Sequence, residues 1–123
     1  NGKLRESAEC MVHVATHALH YGSSVFEGIR AYDTPDGTMI FRLRDHLKRL
    51  KYSADVYRIP LSFSVDELHA ACRETVRDSG LKSVYIRPIV FRGNCGLGVM
   101  PRNISVVDVA IMVSPWGAYL GER

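Results

Sequence analysis

The stretch that decides the fold is His17-Ala-Leu-His-Tyr-Gly-Ser-Ser-Val-Phe-Glu-Gly-Ile-Arg-Ala-Tyr32. It is predicted to open as an irregular segment that bends at Gly22 and to continue as a strand, because Val25, Phe26 and Ile29 are good strand formers. Side chains alternate along a strand, so one face would carry Phe26, Gly28, Arg30 and Tyr32. An aromatic ring, a gap at a glycine and an arginine are unusual on a core face. The pattern indicates a wall that a flat or anionic group approaches.

Composition excludes several classes of protein. The chain has 123 residues, 46% of them hydrophobic and 24% charged, which suits one globular domain with its own core. Its net charge is +3, and the cationic residues are interleaved with acidic ones, so we expect no nucleic-acid partner. No apolar run is long enough to span a bilayer, and no signal peptide is visible. The cysteines Cys10, Cys72 and Cys95 are widely spaced and odd in number, as is typical of reduced thiols in a cytoplasmic protein.

Strands are predicted on both sides of a helical middle. Residues 25–42 form a hairpin around a turn at 33–37, and residues 10–14 could form a short strand before it. Residues 82–92 are a strand in which Pro88 costs one ladder bond and therefore lies at an edge or a bulge. Residues 106–113 are nearly all apolar, which predicts a central strand buried on both faces.

The helical middle consists of two amphipathic segments. Residues 43–58 place Leu43, Leu47, Leu50, Ala54 and Tyr57 on one stripe. Residues 65–79 follow a capping box and end before a glycine that suits a helix C-cap, with Cys72 expected as a small core residue. This order, without alternating crossover helices, predicts an α+β fold: a two-layer sandwich of a mainly antiparallel sheet with two helices on one face. The other face would then need a partner, which could be a domain, a subunit or a ligand.

Two arginines have alternative interpretations. Tyr85 and Arg87 share one face of their strand, and a phenol beside a guanidinium can orient a carboxylate, although a solvated sheet face explains the pair alone as well or better. Arg49 lies beside the helical stripe, where it could either extend along the surface or contact an anion inward from the helix. Spacing does not decide between these two roles.

Two other patterns favour structural roles. His17 and His20 are three residues apart, but no acidic or cysteine ligand lies nearby at a zinc-like spacing, so we expect hydrogen-bonding histidines and no metal. Residues 93–98 are glycine-rich after a strand, but no helix follows, so a nucleotide-binding loop is not indicated. The segment is interpreted as a flexible loop that carries Leu97 and Val99.

Taken in order, the motifs resemble those of the branched-chain amino-acid aminotransferases, pyridoxal-phosphate enzymes of fold type IV. The similarity spans essentially the whole chain. The matching motifs are His17 to Arg30, Phe41-Arg42 with Asp45-His46-x-x-Arg49-Leu50, Tyr85-Ile-Arg-Pro88, Gly96-x-Gly98 and Pro115-Trp-Gly-Ala-Tyr119. D-amino-acid aminotransferases and aminodeoxychorismate lyases tend to carry Gly-Asp-Gly at the first motif. The Tyr21-Gly-Ser-Ser-Val-Phe-Glu found here favours the branched-chain branch.

The resemblance implies roles for individual residues. Tyr21, Phe26 and Tyr119 would line an apolar pocket for the substrate side chain. Tyr85 would meet the substrate α-carboxylate, and Arg87 would take the distal carboxylate of glutamate or 2-oxoglutarate. The resemblance therefore implies amino acids and 2-oxo acids as substrates, with amino-group transfer between leucine, isoleucine or valine and 2-oxoglutarate.

The resemblance also implies a cofactor and an assembly. Arg49 would bind the phosphate of pyridoxal 5′-phosphate. Leu97 and Val99 would reach into the pocket of a neighbouring subunit, which implies a homodimer or a dimer-based higher oligomer. Arg30 and Tyr32 match the motif and are assigned supporting roles.

The lysine that such an enzyme needs to hold its cofactor is not evident. Lys3, Lys48, Lys51 and Lys82 are candidates, but none is predicted in a desolvated position. In the family this lysine lies beyond Tyr119, in a larger C-terminal domain. We therefore expect residues 1–115 to be the small N-terminal domain and residues 116–123 the start of the interdomain linker, with no catalytic residue in this chain and no activity from it alone. The alternatives are another fold-type IV enzyme, similar to a D-amino-acid aminotransferase or an aminodeoxychorismate lyase, and a non-enzymatic binding module that uses the open sheet face.

Overall fold

One five-stranded sheet and two long helices dominate the computed structural model, which describes residues 1–103 and 106–116. A single 3₁₀ turn at Ser7–Glu9 precedes the first helix. The helices are α1 (His17–Tyr21), α2 (Leu43–Val56) and α3 (Val65–Ser79), and the strands are β1 (Ser24–Phe26), β2 (Ile29–Thr34), β3 (Gly37–Ile40), β4 (Val84–Arg92) and β5 (Val107–Pro115).

Strand β4 lies in the middle of the sheet. It pairs antiparallel with β5 on one side and with both β1 and β2 on the other. Strand β3 continues the sheet as the second arm of the β2–β3 hairpin, as the turn signal predicts. The antiparallel α+β sandwich is thus confirmed, and both long helices pack on the same face.

The predicted single strand of the opening stretch is divided into β1 and β2. Phe26 is opposite Ile89, and Arg30 is opposite Tyr85, so both pieces keep the same register against β4. Between them the ladder is interrupted opposite Pro88, which accepts a bond from the Glu27 N–H at 3.0 Å but has no N–H to return one. The sequence predicts Pro88 at an edge or a bulge, and the structure shows neither: β4 is central, and the register is the same on both sides of the proline. The predicted loss of one ladder bond at the proline is confirmed.

Helix α2 packs through the stripe that the sequence predicts, with one exception. Leu43, Leu47, Leu50 and Ala54 are buried. Tyr57 is 69% exposed, because α2 ends at Val56 and the tyrosine no longer follows its periodicity.

Helix α3 has the predicted boundaries and caps. The Ser64 hydroxyl accepts the Glu67 N–H at 3.2 Å, and the Glu67 carboxylate accepts the Ser64 N–H at 2.7 Å, which completes the capping box. The Ser64 hydroxyl also donates to the Glu67 carboxylate, at 2.8 Å, and this bond and the one from the Ser64 N–H lower the pKa of Glu67. Gly80 closes the helix with a φ of 65°, which a glycine adopts without strain.

Two predicted strands differ in the structure. Residues 10–14 form no strand, and they are exposed after the 3₁₀ turn apart from their contacts with α1. Strand β5 is not central: within the described residues its one partner is β4, so it is an edge. Val109 packs towards the helices, and Ala110 and Met112 lie on the opposite, open face.

The two faces of the sheet differ sharply. The helix side is formed by Val25, Ile29, Ala31, Val84, Ile86 and Val90, all buried. The open face carries Phe26, Arg30, Tyr32, Tyr85 and Arg87, and no layer among residues 1–103 and 106–116 packs over it. None of the helices in these two ranges is both long enough and apolar enough to cross a membrane.

Candidate functional site

Arg87 and Tyr85 meet on the open face, as the strand register predicts. The Nε and Nη2 atoms of Arg87 donate to the Tyr85 hydroxyl at 3.0 and 2.6 Å. The same guanidinium carbon lies 4.1 Å from the centre of the Phe26 ring. A planar cation is therefore held between a phenol and an apolar ring, an arrangement that fixes its donors at the surface.

A second cation continues this arrangement along the face. The Tyr85 ring stacks on Trp116, with ring centres 5.9 Å apart and planes inclined by 22°, and the Arg30 guanidinium lies 4.1 Å from the Trp116 ring centre. The backbone N–H of Trp116 donates to the Ser83 carbonyl at 3.0 Å, which fixes this residue beside the sheet. No role for Trp116 was predicted from the sequence, although the Pro-Trp-Gly-Ala-Tyr motif could have drawn attention to it.

Gly28 makes room for the phenol. A Cβ atom at this position would lie 2.8 Å from the Tyr85 hydroxyl oxygen and 3.4 Å from its ring. The φ angle of Gly28 is not in the left-handed region, so the requirement for glycine here is steric rather than conformational. The gap that the sequence shows between Phe26 and Arg30 is filled by Tyr85 from the neighbouring strand.

Arg49 binds a buried carboxylate that was not predicted from the sequence. Its Nε donates to Glu27 Oε1 at 2.5 Å and its Nη2 to Glu27 Oε2 at 2.6 Å. Glu27 is 5% exposed, and its Oε2 also lies 2.9 Å from His46 Nδ1. Burial alone would raise the pKa of Glu27, but the hydrogen bonds and charge of Arg49 and His46 hold it below its usual value. A glutamate on the buried side of a strand is the signal that could have identified this pair.

The outer side of Arg49 opens on a shallow pocket. The arginine side chain is 65% exposed although two of its nitrogens are paired, and Nη1 has no protein partner among the described residues. The pocket has a volume of about 400 Å³ and is lined by Phe41, Arg42, Asp45, His46 and Arg49. A guanidinium with one edge fixed and the other exposed is suited to an oxyanion such as a phosphate group.

The glycine-rich loop is held by α1. His17 contacts the Ser23 hydroxyl at 2.7 Å and the Gly98 carbonyl at 3.0 Å, and the Tyr21 hydroxyl accepts the Gly98 N–H at 2.9 Å. The prediction that the histidines make structural hydrogen bonds is confirmed for His17, and His20 bonds the Val14 carbonyl at 2.8 Å.

Beyond these bonds the loop presents apolar side chains to solvent. Leu97 is exposed and Val99 is 78% exposed. Tyr21 is joined to the loop that carries Leu97 and Val99 by its bond to Gly98, whereas Phe26, Tyr85 and Arg87 contact one another on the open face. Tyr119, the remaining residue predicted in the substrate pocket, lies outside the described residues.

The four lysines and Cys72 are not among the residues of the open-face cluster or the lining of the Arg49 pocket. Lys3 and Lys48 are exposed, Lys51 lies near Asp55 on α2, and Lys82 lies 4.0 Å from Asp33 with its side chain in solvent. The Cys72 thiol is buried, which raises its pKa to about 12 and confirms its prediction as a core residue. Neither the open-face cluster nor the Arg49 pocket therefore contains a lysine or cysteine from residues 1–103 or 106–116.

Sequence comparison with known proteins identifies the family of this chain. The sequence profile of the family described as Amino-transferase class IV matches residues 24–123. Among curated proteins, the branched-chain-amino-acid aminotransferases of Salmonella typhimurium and Pseudomonas aeruginosa are 53% and 48% identical over 123 residues. The alignment covers all of this chain and 40% of each of those proteins, so the chain spans about two fifths of the length of its curated relatives.

Solved structures show the same fold. The crystal structure of the Escherichia coli branched-chain amino acid aminotransferase superposes with a TM-score of 0.93 at 52% identity, covering 98% of this chain and 40% of that one. The T.th. branched-chain amino acid aminotransferase, complexed with N-(5′-phosphopyridoxyl)-L-glutamate, gives a TM-score of 0.89 at 46% identity, covering 94% and 38%. The profile match extends over most of the sequence, and the fold is the one that these enzymes share. The chain belongs to the class IV aminotransferase family.

Proposed function

We propose that the chain is the N-terminal part of a pyridoxal-phosphate-dependent branched-chain amino-acid aminotransferase. The whole enzyme would transfer the amino group between leucine, isoleucine or valine and 2-oxoglutarate. Residues 1–115 would be its small domain and residues 116–123 the start of the linker to a larger domain that carries the catalytic lysine. The observation that carries the proposal is the stacking of Arg87 on Phe26 beside Tyr85.

This stacking explains how one pocket could accept two kinds of side chain. An aliphatic group can pack against the Phe26 ring and the flat face of the guanidinium. A distal carboxylate can bind Nη1 of Arg87, which has no protein partner among the described residues while Nε and Nη2 bond to Tyr85. The Tyr85 hydroxyl, which receives those two bonds, is the group proposed to orient the α-carboxylate. Acceptance of both substrates then needs no rearrangement of the strand.

The residues present fit the cofactor. Arg49 would bind its phosphate from the small domain, because its exposed nitrogen is a suitable donor at the edge of an open pocket. Pyridoxal phosphate, when bound, supplies the electron sink that this class of reaction requires. The chain's own contribution is to bind the phosphate, orient the substrate carboxylates and form part of the apolar wall.

Assembly completes the proposal. Leu97 and Val99 are proposed to reach into the pocket of a second subunit, since both are exposed in the single chain. Tyr21 is proposed to line the apolar wall of the pocket for the substrate side chain. Tyr119 is proposed as a further residue of the apolar wall around the substrate side chain. The proposal includes a homodimer or dimer-based oligomer in the cytoplasm, as the sequence predicts.

The test uses the full-length protein that contains this chain. Purified enzyme with pyridoxal phosphate is given 2-oxoglutarate and one amino donor at a time, and glutamate formation is measured. We expect turnover with L-leucine, L-isoleucine and L-valine and little with D-alanine. Turnover that is restricted to D-amino acids, or release of pyruvate from aminodeoxychorismate, would place the protein in another branch of the family. The absence of any amino transfer would favour a binding module.

A further inference from the structure

We propose that Glu27 is a positioning residue that holds Arg49 in the orientation in which it binds the phosphate of the cofactor. This inference rests on the function proposed above and adds to it a residue that does not itself contact the phosphate. It is carried by the geometry of three side chains: Glu27 on the sheet, and His46 and Arg49 one helical turn apart on α2.

The first step is that Glu27 fixes two of the three guanidinium nitrogens. The bonds from Nε and Nη2 of Arg49, at 2.5 and 2.6 Å, form a bidentate pair that sets both the position and the plane of the group. An exposed arginine without such a pair samples many rotamers, and it must lose that freedom when it binds a ligand. Here the guanidinium is already ordered before an anion binds, and the remaining nitrogen, Nη1, has no partner among the described residues of this largely exposed side chain.

The second step is that Glu27 is itself fixed by the sheet. Its N–H donates to the Pro88 carbonyl at 3.0 Å, in the interruption between β1 and β2. Its carboxylate is nearly inaccessible to solvent, and such a group is stable only when its oxygens are paired. Arg49 and His46 provide the partners for both oxygens. The sheet, through Glu27, therefore fixes the position of Arg49 together with its own helix.

The alternative is that the pair merely anchors α2 to the sheet. Buried ion pairs contribute little net stability, because desolvation offsets their attraction. Helix α2 is already anchored by Leu43, Leu47, Leu50 and Ala54, which are all buried. An anchor would affect the affinity for every ligand alike, whereas a positioning residue would affect selectively the ligand group that Arg49 contacts.

The experiment compares two ligands that differ in the phosphate group. Full-length apoenzyme is titrated with pyridoxal phosphate and with pyridoxal, and the ratio of the two dissociation constants measures the phosphate contact. The variant is Glu27→Asp, which keeps the charge but shortens the side chain by one methylene, so that both bonds cannot be retained. Glu27→Gln is less informative, because removal of the negative charge would also strengthen anion binding and mask the loss.

We expect Glu27→Asp to weaken pyridoxal phosphate about tenfold, the size of one charge-assisted hydrogen bond, and to leave pyridoxal binding unchanged. The double variant with Arg49→Ala should lose no more than Arg49→Ala alone, since Glu27 acts through that side chain. Asp55→Glu is the matched control: it changes the side chain by one methylene with its charge kept, in a residue that faces Lys51 on the same helix.

The outcomes separate the two proposals. If Arg49→Ala keeps the full preference for the phosphorylated ligand, the proposed role of Arg49 is wrong. If Arg49→Ala loses that preference while Glu27→Asp keeps it, only the positioning role is overturned. If Glu27→Asp weakens the binding of both ligands equally, Glu27 only anchors α2 to the sheet, and the positioning role is likewise overturned. Should Glu27→Asp fail to fold, His46→Gln replaces it: a smaller but equally selective loss supports the inference, and an unchanged ratio contradicts it.

Discussion

Phe26 and Glu27 are neighbours in the chain, but each holds a different arginine on a different face of the sheet. Phe26 packs under the Arg87 guanidinium on the open face, and Glu27 binds Arg49 on the helix side. The two proposed binding functions, for substrate and for cofactor phosphate, therefore meet at one peptide unit. A shift of this strand would displace both arginines together.

Replacement of Arg87 should separate the two substrate classes. In the full-length enzyme, Arg87→Ala should impair the half-reaction with glutamate or 2-oxoglutarate far more than that with leucine, which has no distal charge. Loss of a charge-assisted hydrogen bond costs about 1.5–3 kcal/mol, or roughly ten- to a hundredfold in kcat/KM. Single-turnover kinetics of each half-reaction provide the measurement. Equal loss in both would show that Arg87 does not bind the distal carboxylate.

Gly28 should be intolerant of a side chain because of Tyr85. In Gly28→Ala the added carbon would meet the Tyr85 hydroxyl at 2.8 Å, so the phenol must shift from the position in which it accepts bonds from Arg87. We expect a stability loss of about 1 kcal/mol in urea denaturation, and a fall in kcat/KM for both substrates. Tyr85→Phe removes the clashing oxygen, so the double variant should be more stable than the sum of the two single effects. Simple additivity would contradict the predicted contact.

The charge of Glu27 should make stability depend on pH. Its pKa in the folded protein is lower than the ordinary value of about 4.3, so its ionised form stabilises the native state above that pH. This contribution should disappear as the pH falls below about 4.3 and through the lower native pKa. The difference in unfolding free energy between wild type and Glu27→Gln should therefore be largest near neutral pH and shrink in acid. A difference that stays constant from neutral pH down to acid would refute the ionised pair.

Val99 should be an assembly residue. Val99→Asp would place an unpaired charge in a dry contact, which is costly, and should weaken association of the full-length enzyme and raise its KM for leucine together. Val56→Asp is the control, since this valine is also exposed but lies on α2. Light scattering gives the oligomeric state. An active wild-type monomer, or a Val99→Asp protein with unchanged assembly and kinetics, would exclude the proposed interface.

The sequence predicted the features that depend on local periodicity. The capping box and Gly80 set the boundaries of α3, and strand alternation correctly placed Phe26, Tyr85 and Arg87 on one face. Strand order could not be read in the same way. An apolar run such as β5 does not show whether it pairs with one neighbouring strand or with two, so its edge position was missed.

The candidate site was predicted only in part, because some of its contacts join residues that are far apart in the chain. Arg49 was ambiguous because its partner Glu27 is 22 residues away in the chain, and no helical or strand period connects the two. Trp116 was missed because its contact with Tyr85 and Arg30 depends on the pairing of β4 with β2 and β5. Interactions across the sheet require the register, which a single sequence does not contain.

The stacking of Trp116 on the open face has a practical consequence. It is the one tryptophan of the 123-residue sequence, and it contacts both the Tyr85 ring and the Arg30 guanidinium. Indole emission depends on the polarity and the charges around the ring. The chain therefore carries a built-in optical reporter beside its candidate substrate residues, and changes in how the open face is covered can be followed by intrinsic fluorescence without a label.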